Sequence, residues 1–137
     1  MTSDLIPIAV SKVMQSKSYT VIILGDESKK FAIYTEPQVG KNLQIFLTQG
    51  KRQRPSTYDL IENIFKGCDI EIVQIVIQDV EDTTYFARLF LEVIEDDKKN
   101  ILEVDARPSD CITLSLMNNI PIYCRKSVYE KVIPVTD

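Results

Sequence analysis

Asp105-Ala106-Arg107-Pro108-Ser109-Asp110 packs two carboxylates, a guanidinium and a hydroxyl into one short stretch. Hard divalent cations take oxygen ligands, so Asp105 and Asp110 are candidates to hold Mg2+ or Mn2+. Such an ion would neutralise an approaching phosphate and activate water. Arg107 is a candidate phosphate ligand. If the strand before it continues, it projects on the same face as Asp105. Ser109 and Asp110 open a helix, whose positive end also attracts phosphate. Two carboxylates are too few for a metal site, and a third would come from Asp59 or Glu36. Each residue also has a structural reading. Asp105 and Arg107 can pair to close a strand–helix junction, Ser109 can cap the helix, and Asp110 in the first turn can offset its dipole. A second cluster, Lys51, Arg52 and Arg54, can track a nucleic-acid backbone with Tyr58 as a stacking ring. Otherwise it is a solvated loop in which Arg54 mirrors Arg107.

The rest of the composition narrows the chemistry. The chain has no histidine. That removes Ser-His and Cys-His nucleophile pairs, imidazole acid–base catalysis and His metal ligands. A net charge of −4 argues against broad nonspecific capture of nucleic acid, though not against a local basic patch. Cys68, Cys111 and Cys124 form no C-x-x-C pair and read as reduced packing thiols of a cytoplasmic protein. No leader pattern and no membrane-length apolar run is visible. The 137 residues read as one domain, 1–137.

The elements that must position these residues follow from periodicity. Residues 5–14 form a strand, placed at an edge by Pro7. Strands at 18–24 and 31–35 flank a polar hairpin loop at 25–30. A helix starts near Pro37, with Glu36 as N-cap and Val39, Leu43, Phe46 and Leu47 on one stripe, and stops at Gly50. A second helix opens with Ser56 and Asp59 in a capping-box arrangement, buries Leu60, Ile61, Ile64 and Phe65, and ends at Gly67. Strands follow at 69–80, with a phase change near Ile72-Val73 that suggests a bulge, at 85–94 and at 101–106. The third helix spans about 109–118. Its Thr113 and Ser115 lie among apolar residues, so it is expected to be buried, against another subunit in one reading. A short strand at 121–124 and a helical turn at 128–132 complete an α+β fold, a largely antiparallel sheet with about three packed helices. Tyr19, Tyr34 and Tyr85 read as core or interface residues. Arg54-Pro55-Ser56 repeats as Arg107-Pro108-Ser109, each before a helix, which fits either a duplicated strand–turn–helix unit or two uses of one cap.

Asp105-Ala106-Arg107-Pro108-Ser109-Asp110-Cys111-Ile112-Thr113-Leu114 resembles D-A-R-P-S-D-A-I-A-L, the signature of the bifunctional nuclease domain family. Pro121-Ile122-Tyr123 fits the family's P-I-Y/F. Arg54-Pro55-Ser56-Thr57-Tyr58-Asp59-Leu60 fits its R-P-L-T-H-D-L, and Tyr85-Phe86-Ala87 its F-Y/F-A strand. The resemblance covers roughly residues 18–132. It implies a small DNase-RNase domain with DNA or RNA as substrate. The chain departs from the pattern in three places. Tyr58 replaces the family's histidine, Phe31-Ala32-Ile33-Tyr34-Thr35-Glu36 lacks the glycine of L-P-I-W-I-G, and Pro37-Gln38 replaces an E-A helix start.

Two functions are carried forward. The first is a metal-dependent nuclease, with Asp105 and Asp110 on Mg2+ or Mn2+ and with Arg107 and Arg54 holding phosphate. The second is a non-catalytic interaction or regulatory module of the same fold. A homo-oligomer, taken as a dimer, is expected from the apolar third helix and the Ile-rich strand. The discriminating geometry is whether Asp105 and Asp110 open into one pocket with a third carboxylate.

Overall fold

The computed structural model describes residues 4–48 and 54–136. Its strands are β1 (Leu5–Gln15), β2 (Thr20–Gly25), β3 (Lys30–Thr35), β4 (Ile70–Glu81), β5 (Thr84–Glu95), β6 (Lys98–Ala106) and β7 (Ile122–Arg125). Its helices are α1 (Pro37–Leu47), α2 (Thr57–Gly67), α3 (Pro108–Asn118) and α4 (Lys126–Lys131). The strands form one sheet in the order β3-β2-β1-β7-β4-β5-β6, in which only β4 and β7 run parallel. The architecture is α+β, with the terminal turn extended into a fourth, short helix.

β1 is not an edge strand. It changes partner midway: Leu5 to Ile8 pair with β7, and Ala9 to Gln15 pair with β2. Pro7 is tolerated because it lies in the half with one neighbour, where no donor is needed on its other side. The sheet curls at this handover. The Phe31 ring of edge strand β3 stacks on Tyr85 of β5 with centroids 5.7 Å apart, so the two ends of the sheet approach each other. β4 carries a register shift between Ile72 and Gln74, the bulge expected there. The β5–β6 turn is tighter than its charge run suggests. Only Asp96 and Asp97 separate the strands, both left-handed (φ 50° and 62°), as two-residue hairpins require.

The core is built from Ile22, Leu24, Phe31, Leu43, Ile75, Ile77, Ile112, Leu114 and Val128, all fully buried. Each such side chain contributes about 1.5–3 kcal/mol. α3 sits deepest, with Cys111 to Ser115 buried in succession against β4, β5 and α1. Its polar members are satisfied internally: Thr113 Oγ1 donates to the Ser109 carbonyl (2.8 Å) and Ser115 Oγ to that of Ile120. This chain therefore covers α3 by itself, and the helix gives no reason for a partner subunit. Asn119 ends it in the left-handed conformation.

α1 lies close on β2 because Gly40 has no side chain. A Cβ there would meet Gln15 Cγ at 2.5 Å and Thr20 Oγ1 at 2.6 Å. Thr20 instead accepts from the Gly40 amide (2.9 Å) and donates to the Pro37 carbonyl (3.2 Å). This clamp fixes where Glu36, the N-cap residue of α1, stands. Gly50, the expected stop of α1, lies outside the described residues; Thr48 caps the helix, donating to the Gln44 carbonyl (2.7 Å). α2 opens with the expected capping box, in which Ser56 Oγ accepts from the Asp59 amide and Asp59 accepts from the Ser56 amide. Its apolar face is less buried than the spacing implies. Ile61 and Phe65 pack on the core, while Leu60 and Ile64 stay exposed. A second layer covers one side of the helix, so only part of an apolar stripe finds a partner. Cys68 is also exposed; Cys111 and Cys124 are buried, and all three thiols are free. No helix among the described residues is long and apolar enough to cross a membrane.

Candidate functional site

β6 delivers Asp105 to the sheet end, and Arg107 and Pro108 turn the chain into α3. Arg107, extended at φ −68° and ψ 140°, is the N-cap residue. Ser109 does not cap. Pro108 takes the first helical position, where a missing N–H costs nothing, and pushes the cap back to Arg107. Ser109, the second helical residue, is instead buried. Ser56 in the other Arg-Pro-Ser copy does cap α2, two positions later in the motif, so the repeated tripeptide serves two different junctions.

Two hollows flank this junction. The first, about 540 Å³, lies between the ends of β3, β5 and β6, with Tyr34, Thr35, Phe86, Asp105, Arg107 and Ser109 on its wall. The second, about 520 Å³, lies among the helices, with Asn42, Tyr58, Ile61, Phe65, Asp110 and Leu114 on its wall. Ala106 lines both. The two candidate carboxylates thus part company: Asp105 faces the first hollow and Asp110 the second.

Their electrostatic surroundings differ too. Among the described residues the Asp105 carboxylate makes no hydrogen bond or ion pair; Arg88, its cross-strand neighbour, turns to Glu103 instead (3.2 Å). Arg107 Nη2 meets Glu36 Oε1 at 3.0 Å, with both side chains about two-thirds exposed. An exposed pair of this kind is worth about 0–1 kcal/mol. It brings the N-cap residues of α1 and α3 face to face. Glu36 therefore reaches Arg107 rather than joining Asp105 and Asp110. Tyr34 is 65% exposed, a surface ring and not a core one, and it meets Tyr19 edge-on at 5.4 Å. Tyr85 is half-buried, and burial raises its hydroxyl above the ordinary range. On the same wall, Thr35 Oγ1 is buried with no hydrogen-bond partner among the described residues. Such orphaned groups are rare and need an explanation.

In the second hollow, Asp110 accepts from Tyr58 Oη at 2.8 Å. Burial and then this carboxylate push the Tyr58 hydroxyl up to about 12. Its ring stands edge-on to Phe46 at 6.3 Å, so Tyr58 is a partly buried packing residue here, not a free stacking ring. Burial, with help from Asp110 and Asp105, likewise pushes the Cys111 thiol up to about 12, which removes it as a nucleophile at neutral pH.

The remaining candidates are scattered. Asp59 is occupied by the α2 capping box. Arg54 is exposed and lines neither hollow. Lys51 and Arg52 lie outside the described residues. No three Cys, Asp or Glu side chains among the described residues stand together to hold a metal ion. The set Asp105, Asp110 and Asp59 does not fit Mg2+ or Mn2+, since one faces each hollow and the third is engaged in a helix cap. Sequence reasoning missed Thr35 and Phe86 on the first hollow. Nothing in their local pattern marks them, because the curl of the sheet creates that wall.

The bifunctional nuclease domain model matches residues 21–135, and the chain belongs to that family. Two uncharacterised proteins from two strains of Mycobacterium tuberculosis are each 32% identical to it over 75 residues, 55% of this chain and 42% of theirs. The match thus spans less than half the length of these relatives. The family is described as a bifunctional nuclease domain.

Proposed function

We propose that the chain is a phosphodiesterase acting on single-stranded DNA or RNA in the hollow lined by Asp105 and Arg107. The observation that carries this is a carboxylate without a partner among the described residues and a guanidinium at a helix N-terminus, beside exposed aromatic rings, in a chain of the bifunctional nuclease domain family. Tyr34 and Phe86 offer faces on which bases stack, and Arg107 matches the fork geometry of a phosphate. The positive end of α3 adds to the attraction. Asp105 takes a proton from water as its oxygen attacks phosphorus. The P–O bond to the leaving sugar then breaks, and the sugar oxygen collects a proton from solvent. Arg107 holds the charge that builds on the non-bridging oxygens. Glu36 competes for Arg107, so a phosphate must displace it.

The test is a DNase and RNase assay of purified protein with Mg2+, with Mn2+ and with EDTA, beside Asp105→Asn, Arg107→Ala and Asp110→Asn. Activity is expected to fall in the first two and to persist in the third. Equal activity in all four proteins would assign it to a contaminant. Loss of activity in EDTA would mean that Asp105 holds a metal ion together with oxygen ligands other than Asp110.

The separation of Asp105 from Asp110 favours a second reading, a non-catalytic nucleic-acid-binding or regulatory module. Anisotropy-detected binding of a labelled single strand without any product would select it.

A further inference from the structure

β6 is hydrogen-bonded to β5 alone and forms one edge of the sheet. At the opposite edge the C-terminal segment crosses β3, where the Val135 amide donates to the Lys30 carbonyl (2.8 Å). Residues 98–103 of β6 are all exposed, and Ile101 and Leu102 at the centre are 59% and 50% exposed. A long edge with free backbone donors and acceptors is a template for another strand. Charge is ordered along this one. Lys98 and Lys99 lie at one end and Glu103 and Asp105 at the other, with the apolar pair between. An antiparallel copy of the same strand sets basic end against acidic end.

We infer that β6 is the surface on which two copies of this chain pair, strand against strand, about a two-fold axis at Ile101. Symmetry restricts the register. The axis is perpendicular to the sheet, so paired residues share a face and their numbers sum to an even value. Side chains alternate along a strand, so Lys99, Ile101 and Glu103 lie on one face. Centring on Ile101 sets that residue opposite its own copy, and Lys99 opposite Glu103 twice per dimer. Within one copy Lys99 stands 3.7 Å from Glu92, and Glu103 stands 3.2 Å from Arg88. The cross-copy contacts join these pairs into a charge network around an apolar centre. The contact is isologous, so it closes at two copies and does not propagate as a fibre.

Sedimentation velocity of the full chain across the micromolar range tests this. The expected species has twice the 15.7 kDa mass of the chain. Ile101→Arg is expected to leave monomer. Lys99→Glu and Glu103→Lys are each expected to weaken self-association by about tenfold or more, because like charges then face each other at both pairs. The decisive arm mixes those two variants. One carries acid at both positions and the other base at both, so the mixture is expected to restore a 1:1 dimer. Circular dichroism confirms that each variant is folded. A wild-type monomer throughout, a dimer indifferent to Ile101→Arg, or folded charge variants that fail to pair when mixed would each overturn the inference.

Discussion

The two hollows beside the β6–α3 junction share Ala106 and hold one aspartate each, yet they are built on different terms. The Asp105 side is walled by strand ends and exposed rings, and its carboxylate has no partner among the described residues. The Asp110 side is walled by three helices, and its carboxylate holds a tyrosine hydroxyl. Five positions of sequence separate the two residues, but one terminates a strand and the other sits in the first turn of a buried helix. Proximity in sequence therefore says little about shared chemistry when a secondary-structure boundary falls between. The side that holds the fold together is a poor place for catalysis, and the side with spare valence is the better one.

The contrast can be broken by mutation. Leu114→Ala, in the wall of the helical hollow, should cost about 2–5 kcal/mol of stability by urea denaturation; a loss below about 1 kcal/mol would show that this side is loosely packed and free to bind. Asp105→Asn should lower kcat by about 100-fold or more if it acts as general base, with an unchanged unfolding midpoint. Asp110→Asn should do the reverse, destabilising while keeping activity within a few-fold. An exchange of these two outcomes would move the site across the junction.

Tyr58→Phe removes the hydroxyl that Asp110 holds and should cost about 0.5–1.5 kcal/mol. It also carries a pH signature. An unfolded Tyr58 releases its proton near 10, while the folded residue keeps it until about 12. Between those values the unfolded chain binds fewer protons, so stability is intact below pH 10 and is lost as pH rises through the window. Cys124 and Cys111, pushed up from 9 to about 11 and about 12, act in the same direction. Tyr58→Phe should make this alkaline limb shallower, read by denaturation midpoints from pH 8 to 12. The smallest effect is expected of Glu36→Gln. Releasing Arg107 from its exposed carboxylate partner should tighten binding of a labelled single strand by about two- to fivefold, as the modest worth of such pairs implies. Weaker binding would make Glu36 part of the ligand site.

Much of the fold was legible in the sequence, because local rules govern it. Pro37 and Glu36 mark the start of α1, Ser56 and Asp59 mark that of α2, and the broken alternation at Ile72-Val73 marks the β4 bulge. The failures are tertiary. Pro7 suggested an edge strand, and only the handover of β1 between β7 and β2 shows how a proline fits inside the sheet. Ser109 looked like a cap, but Pro108 took the position that decides it. The candidate site was half legible. Asp105 and Arg107 do line one hollow. Thr35, Tyr34 and Phe86 reach it only because the sheet curls, and Asp110 leaves it because a helix begins.

One consequence of the strand order concerns synthesis. β7 lies between β1 and β4, yet among the described strands it is the last to be made. Until residues 122–125 emerge, the chain can form only two separate meanders, β1-β2-β3 and β4-β5-β6, each with an open inner edge. The four-residue keystone joins them, so the hollow beside Asp105, whose walls come from both meanders, is completed only once β7 is in place.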